Sequence, residues 1–245
     1  MRMSVEYKTD KFPLMNQMLG VSLIKQAIKE VDEEYYNKLY LYNENKANKQ
    51  TKNFCFSFFM KDFEKKEDVF VIKDRVIFNI SSPDYSFMVN LYNGLLKINE
   101  FKYKNEFTLN KVRINLVKEK EVTSNAVTFN TLSPIFIQDK NHKALEINDE
   151  NYEKELNYIA NKTLKNYRGY GLKEVLKFKQ INMKKRVVKE DIRVFRENTK
   201  KTIFYVNAYA GIFQLEGDVN DLNDIYMLGV GFKRGQGFGM IDIIG

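Results

Sequence analysis

The chain has 245 residues but only one cysteine and one histidine. A single cysteine forbids an intrachain disulfide, and one cysteine with one histidine cannot complete a tetrahedral zinc site by themselves. No metal and no other cofactor is expected. Cys55 stands in the apolar run Phe54-Cys55-Phe56-Ser57-Phe58-Phe59, which reads as a buried thiol rather than a nucleophile. A protease pair of Cys55 with His142 has no supporting signature. Three prolines and 12 glycines exclude collagen-like and low-complexity chains. Uncharged stretches such as 53–60 fall far short of the roughly 20 residues that span a bilayer. Glu6 stands where a signal peptide would begin its apolar core. The expectation is a soluble, cytoplasmic protein with no membrane partner.

Hydrophobic residues make up 44% of the chain and charged residues 29%, enough to bury a core in one or two domains. Basic residues number 40 against 32 acidic ones, a formal net charge of +8, which favours a polyanionic partner. The excess is concentrated. Residues 184–201 hold Lys184, Lys185, Arg186, Lys189, Arg193, Arg196, Lys200 and Lys201 against Glu190, Asp191 and Glu197, which supplies +5 of the +8. A solvated surface strand and a phosphate-binding face both explain such a run.

Hydrophobic periodicity divides the chain into two halves of one plan. Residues 1–8 alternate as a strand. Pro13 is read as opening a helix, with Leu19, Leu23, Ala27, Ile28 and Val31 at spacings of three and four. A polar loop at 43–51 leads to strands at 53–60 and 69–80, a helix from Pro83 through Ile98, and a strand at 107–117. The second half has a strand at 127–137, bent at Ser133-Pro134, and a helix at 149–167. Strands at 175–183, 186–195 and 203–215, a helix at 219–227 and a strand at 238–244 follow. The order β-α-β-β-α-β, met twice, predicts an α+β fold of two tandem ferredoxin-like (RRM-like) domains. Their expected spans are 1–122 and 123–245, packed as one body because no proline- or serine-rich linker divides them.

Six of the 12 glycines fall in the last 17 residues, making a glycine-rich loop at 229–239. Glycine permits positive φ and close approach of backbone N–H groups to an anion. With Lys233 and Arg234 inside the loop, a phosphate or a nucleic-acid backbone is the natural guest. The expected RNA contacts are Gly231, Lys233, Arg234, Gly235, Gly237 and Gly239, with Lys184, Lys185, Arg186, Arg193 and Arg196 on the basic run. The loop lacks the Gly-Lys-Ser/Thr of a P-loop and the following helix of a Rossmann turn. A tight hairpin without a ligand is the plain alternative.

The stretch Gly229-Val230-Gly231-Phe232-Lys233-Arg234-Gly235-Gln236-Gly237-Phe238-Gly239-Met240 resembles the terminal signature of the CRISPR repeat-RNA-processing endoribonuclease family, in the RAMP superfamily. Other stretches match in order. Leu23-Ile24-Lys25-Gln26-Ala27-Ile28 is similar to that family's first helix and residues 53–60 to its second strand. Asn93-Gly94-Leu95-Leu96 resembles the end of its second helix, and residues 128–135 the start of its second domain. The resemblance covers essentially the whole chain. It implies CRISPR repeat RNA as partner, and allows other subunits of a CRISPR effector complex, or a second copy in a homodimer, as further partners.

The resemblance also implies a chemistry without metal. A ribose 2′-hydroxyl attacks the adjacent phosphate, leaving a 2′,3′-cyclic phosphate and a 5′-hydroxyl, and the product stays bound. The reaction needs an acceptor for the 2′ proton, a donor for the leaving oxygen, and positive charge near the phosphorane. Many members carry a histidine after the first helix, a tyrosine on that helix and a lysine before the second strand. Here the lysine position is Lys52, the tyrosine position falls on Lys25, and the histidine position on Tyr42 or Asn43. These four are the candidate catalytic residues, in a histidine-free site that is either native or an engineered substitution. Lysines and a tyrosine can stabilise the phosphorane, but a base near pH 7 requires a lysine of depressed pKa. In-line geometry supplies much of the rest, so a slow, single-turnover enzyme is expected.

His142 lies in a polar turn and reads as solvated loop. Asp218, Asp221 and Asp224, at spacings of three, suit a helix start better than a magnesium site. Tyr35, Tyr36, Tyr40 and Tyr42 divide between core and base-stacking platform. Two rivals remain beside the enzyme: an inactive repeat-RNA-binding paralogue, and a structural subunit of a ribonucleoprotein.

Overall fold

The computed structural model describes residues 1–42, 46–47, 50–67, 69–190 and 203–244. The first half runs β1 (Arg2–Lys8), β2 (Lys11–Pro13), α1 (Gln17–Lys29), α2 (Glu33–Tyr40), β3 (Leu41–Tyr42), β4 (Lys46–Ala47) and β5 (Cys55–Met60). It continues through β6 (Phe63–Lys66), β7 (Val69–Ile72), β8 (Val76–Ser81), α3 (Tyr85–Lys97), β9 (Glu100–Tyr103) and β10 (Phe107–Val117). Alternation in β1 turns Met3, Val5 and Tyr7 into the core, beneath Leu19, Leu23 and Ala27 of α1 and Phe87, Leu91 and Leu95 of α3. The strands align as β5-β8-β1-β10-β9, all antiparallel, with the first strand between the third and fourth of the β-α-β-β-α-β unit. That is the ferredoxin-like order.

The local surprises have local causes. Pro13 does not open α1. It closes β2, which pairs with β7, and the helix begins at Gln17. A strand end tolerates the missing N–H of proline. The unexpected α2 is started by Asp32, whose carboxylate accepts the Tyr35 N–H at 2.8 Å, a cap worth about 1 kcal/mol. The strand expected at 69–80 is two, β7 and β8, because β7 folds back on β6. The charged triplet Lys73-Asp74-Arg75 between the two apolar runs marks the turn.

The second half comprises β11 (Ala126–Thr131), α4 (Tyr152–Arg168), β12 (Lys177–Glu190), β13 (Phe204–Glu216), α5 (Val219–Leu228) and β14 (Ile241–Ile243). Its sheet order, β12-β13-β11-β14, repeats the first unit. Phe129 and Phe213 stack at 5.7 Å and pack with Leu156, Ile159 and Leu222 in a second core. Burying each such side chain contributes roughly 1.5–3 kcal/mol. Val122 already belongs to this core. The strands expected at 175–183 and 186–195 are one described strand, β12, with a register shift between Gln180 and Asn182. Arg193 and Arg196 lie outside the described residues.

The halves meet through buried contacts. Arg2 reaches across to donate to the Ile241 carbonyl at 2.9 Å and lies 4.4 Å from the Tyr226 ring centroid. Cys55 is buried, its Sγ 3.8 Å from the Met227 carbonyl, and burial pushes the thiol pKa up to about 11. Among the described residues no helix is long and apolar enough to cross a membrane.

Candidate functional site

Three side chains from three segments converge beside the junction. Lys25 extends from α1, Tyr40 ends α2, and Lys52 stands in the segment entering β5. The Tyr40 ring centroid is 4.8 Å from Lys25 Nζ and 5.6 Å from Lys52 Nζ, so one ring faces both ammonium groups. Lys52 Nζ also donates to the Leu39 carbonyl at 2.6 Å. Burial, reinforced by the charge of Lys25, pushes the Lys52 pKa down to about 8, and burial lowers that of Lys25. The Tyr40 hydroxyl is buried with no hydrogen-bond partner among the described residues, and burial raises its pKa and keeps it protonated. Two half-buried cations are what an anion would relieve.

The same three residues line a cavity of about 470 Å³ whose opposite wall is the glycine-rich loop, from Gly231 to Gln236. Folding thus joins the predicted Lys25, Lys52 and loop. It adds Tyr40, which the sequence grouped with Tyr35 and Tyr36 and nothing local distinguishes. Asn43 lies outside the described residues, as does the side chain of Tyr42.

The loop is not the exposed cradle its composition suggested. Arg234 is only 3% exposed, and its guanidinium donates to the Leu228 carbonyl at 2.6 Å and the Lys52 carbonyl at 3.4 Å. It braces the protein rather than facing a ligand. Lys233 is ion-paired with the buried Glu190. The N–H groups of Gly237 and Gly239 are spent on the Arg234 carbonyl (3.2 Å) and the Pro134 carbonyl (2.9 Å). Gly239, at φ +67°, leaves 1.8 Å between a built Cβ and the Val230 carbonyl oxygen, and Gly237, at φ +83°, leaves 2.9 Å to the Phe56 ring. Gly237 thus serves close packing against the first half, and Gly239 close packing of the loop's own backbone at Val230. Gly231 is buried, and a Cβ there would meet the Phe136 carbonyl at 2.7 Å. Gly235 does face the cavity, beside the Lys52 stem, and its N–H has no acceptor among the described residues.

On β12, Lys184 and Arg186 are exposed, while Lys185 is paired with Glu146 at the surface. None of the three lines the cavity. His142 sits on an exposed turn at φ +63°, its Nδ1 3.2 Å from the Gln138 amide. Asp218 caps α5, and Asp221 and Asp224 bind Arg168. Among the described residues no group of three or more His, Cys, Asp or Glu is placed to hold a metal ion.

Residues 117–243 match the family model described as CRISPR associated protein Cas6, C-terminal. The chain is 28% identical over 266 residues to the CRISPR-associated endoribonuclease Cas6 1 of Methanocaldococcus jannaschii, covering 98% of this chain and 92% of that protein. Its fold is similar to a solved structure described as an RAMP protein binding different RNA substrates, with TM-score 0.82, 20% identity and full coverage of both chains. It is also similar to a Cas6-related protein from Pyrococcus furiosus, with TM-score 0.80 and 20% identity over 100% of this chain and 99% of that one.

Proposed function

The chain belongs to the CRISPR-associated Cas6 family, and from that premise we propose that it cuts CRISPR repeat RNA in the cleft of Lys25, Tyr40 and Lys52. The observation that carries this reading is the pair of half-buried ammonium groups on one tyrosine ring, beside Gly235. A scissile phosphate beside them would receive charge from Lys25, while the Tyr40 ring holds the two ammonium groups in place. O2′ attacks phosphorus as the P–O5′ bond breaks, giving a 2′,3′-cyclic phosphate and a 5′-hydroxyl. Lys52, acidified to about 8, is matched to protonate the departing O5′ near neutral pH. Hydroxide takes the 2′ proton, which makes the enzyme slow and its retained product tolerable.

The rival of an inactive RNA-binding paralogue draws on one observation, that no histidine lines this cleft among the described residues. Incubation of the protein with end-labelled repeat RNA in EDTA decides between them. Cleavage at one position with a cyclic phosphate end supports the enzyme. Tight binding without cutting supports the paralogue, and a need for other subunits before any RNA is bound supports a structural role.

A further inference from the structure

A second cavity, of about 410 Å³, lies across segment 50–52 from the lysine cleft, and Gln50, Thr51 and Lys52 line both. Its floor holds Phe54 and Phe87, both buried and stacked at 4.4 Å with planes 4° apart. Tyr35 of α2 forms one wall, Asp84 at the head of α3 another, and Asn166 of α4 closes it from the second half.

The rim has a definite hydrogen-bonding character. Asn166 Nδ2 donates to the Thr51 carbonyl and to Asn53 Oδ1, each at 3.0 Å. Those bonds spend the donors of Asn166 and an acceptor of Asn53. They leave Asn166 Oδ1 as an acceptor and Asn53 Nδ2 as a donor, without partners among the described residues. Asp84 gives Oδ1 to the Phe87 N–H at 3.0 Å and keeps its second oxygen. Acceptors and a donor at the rim, above an apolar floor, suit a base that presents an amino group beside a bare ring nitrogen.

We propose that this cavity is a nucleobase pocket. It takes adenine or cytosine from the nucleotide adjoining the phosphate held at Lys25 and Lys52, and so fixes where in the repeat the chain cuts. The inference rests on the cleft reading above, because the shared segment 50–52 sets the two sites side by side. Uracil offers no amino group, and guanine offers a second donor where Asn53 Nδ2 needs an acceptor.

The test is a uridine scan of the repeat, with adenosine wherever uridine is native. Each RNA is made in an all-ribose form for single-turnover cleavage and in a 2′-O-methyl form, which cannot be cut, for equilibrium binding. The expected result is one position, next to the cut, where adenosine or cytidine outperforms uridine by tenfold or more in both measurements. Asn166→Ala and Asn53→Ala should bring that ratio towards one. If both variants weaken every RNA equally and keep the ratio, these residues only brace the segment and the proposal falls. A flat scan overturns it as well. A clear preference in binding with no RNA cut would uphold the pocket and remove the endonuclease reading.

Discussion

Arg234 donates to the backbone carbonyl of Lys52 across 182 positions of sequence, so the glycine-rich loop of the second half holds the residue proposed to act on the RNA. Replacing Arg234 with methionine keeps the stem but leaves the Leu228 and Lys52 carbonyls without these donors, at roughly 1–3 kcal/mol each. Urea denaturation should show that loss. Single-turnover cleavage should fall further than RNA binding. A variant as stable as its parent would show that solvent replaces the brace.

Lys52→Ala should lower the single-turnover cleavage rate by about 100-fold or more and change the Kd for repeat RNA little. Its charge matters most as O5′ leaves. An unchanged rate would remove Lys52 from the chemistry.

The depressed pKa of Lys52 sets a pH dependence. Free protein loses this proton near pH 8, and a bound phosphate raises the pKa again. Above about 8 binding must take up a proton, so affinity should fall with pH by at most about one log unit per unit. Lys52→Ala should flatten that profile. The same group links stability to pH. Between about 8 and the ordinary lysine value of 10.5 the unfolded chain holds the proton and the native one does not, so stability gains as pH rises through this window. Denaturant midpoints of parent and variant at pH 7.5 and 10, values chosen to bracket roughly that window, report the sign.

Gly237→Val should destabilise the protein by about 1–3 kcal/mol, because it combines positive φ with contact on Phe56. Gly239→Ala, with backbone in the way, should not fold. Gln236→Ala, at the exposed apex, should stay within about 0.5 kcal/mol of the parent. Thermal melts rank the three, and equal stability for Gly237→Val would return the loop to the status of an open turn.

Neutralising Lys184 and Arg186 together should weaken RNA binding and reduce the slope of log K against log salt by roughly one unit per lost phosphate contact. Lys185→Gln should do less, since Glu146 already compensates that charge. A parental slope in the double variant would identify β12 as a solvated strand.

Strand alternation and helical spacing are local, and they carried most of the architecture. Met3, Val5 and Tyr7, or Leu156 and Ile159, show which face is buried without reference to what buries it. Cys55 was legible for the same reason, as one apolar position in an aromatic strand. Lys52 was singled out only through the family resemblance, as the lysine before that strand. The direction in which a charged side chain turns was not legible, because its partner is remote. Lys233 meets Glu190 43 positions away, and Arg234 meets Lys52 182 away. A glycine-rich, basic loop has the same composition whether its N–H groups await a phosphate or are spent on Pro134 and Arg234. Tyr40 became distinct from Tyr35 and Tyr36 only when α1 and the segment before β5 each brought a lysine to its ring. Periodicity determined which faces are buried, and the docking of the two halves decided which polar groups were left facing the cleft.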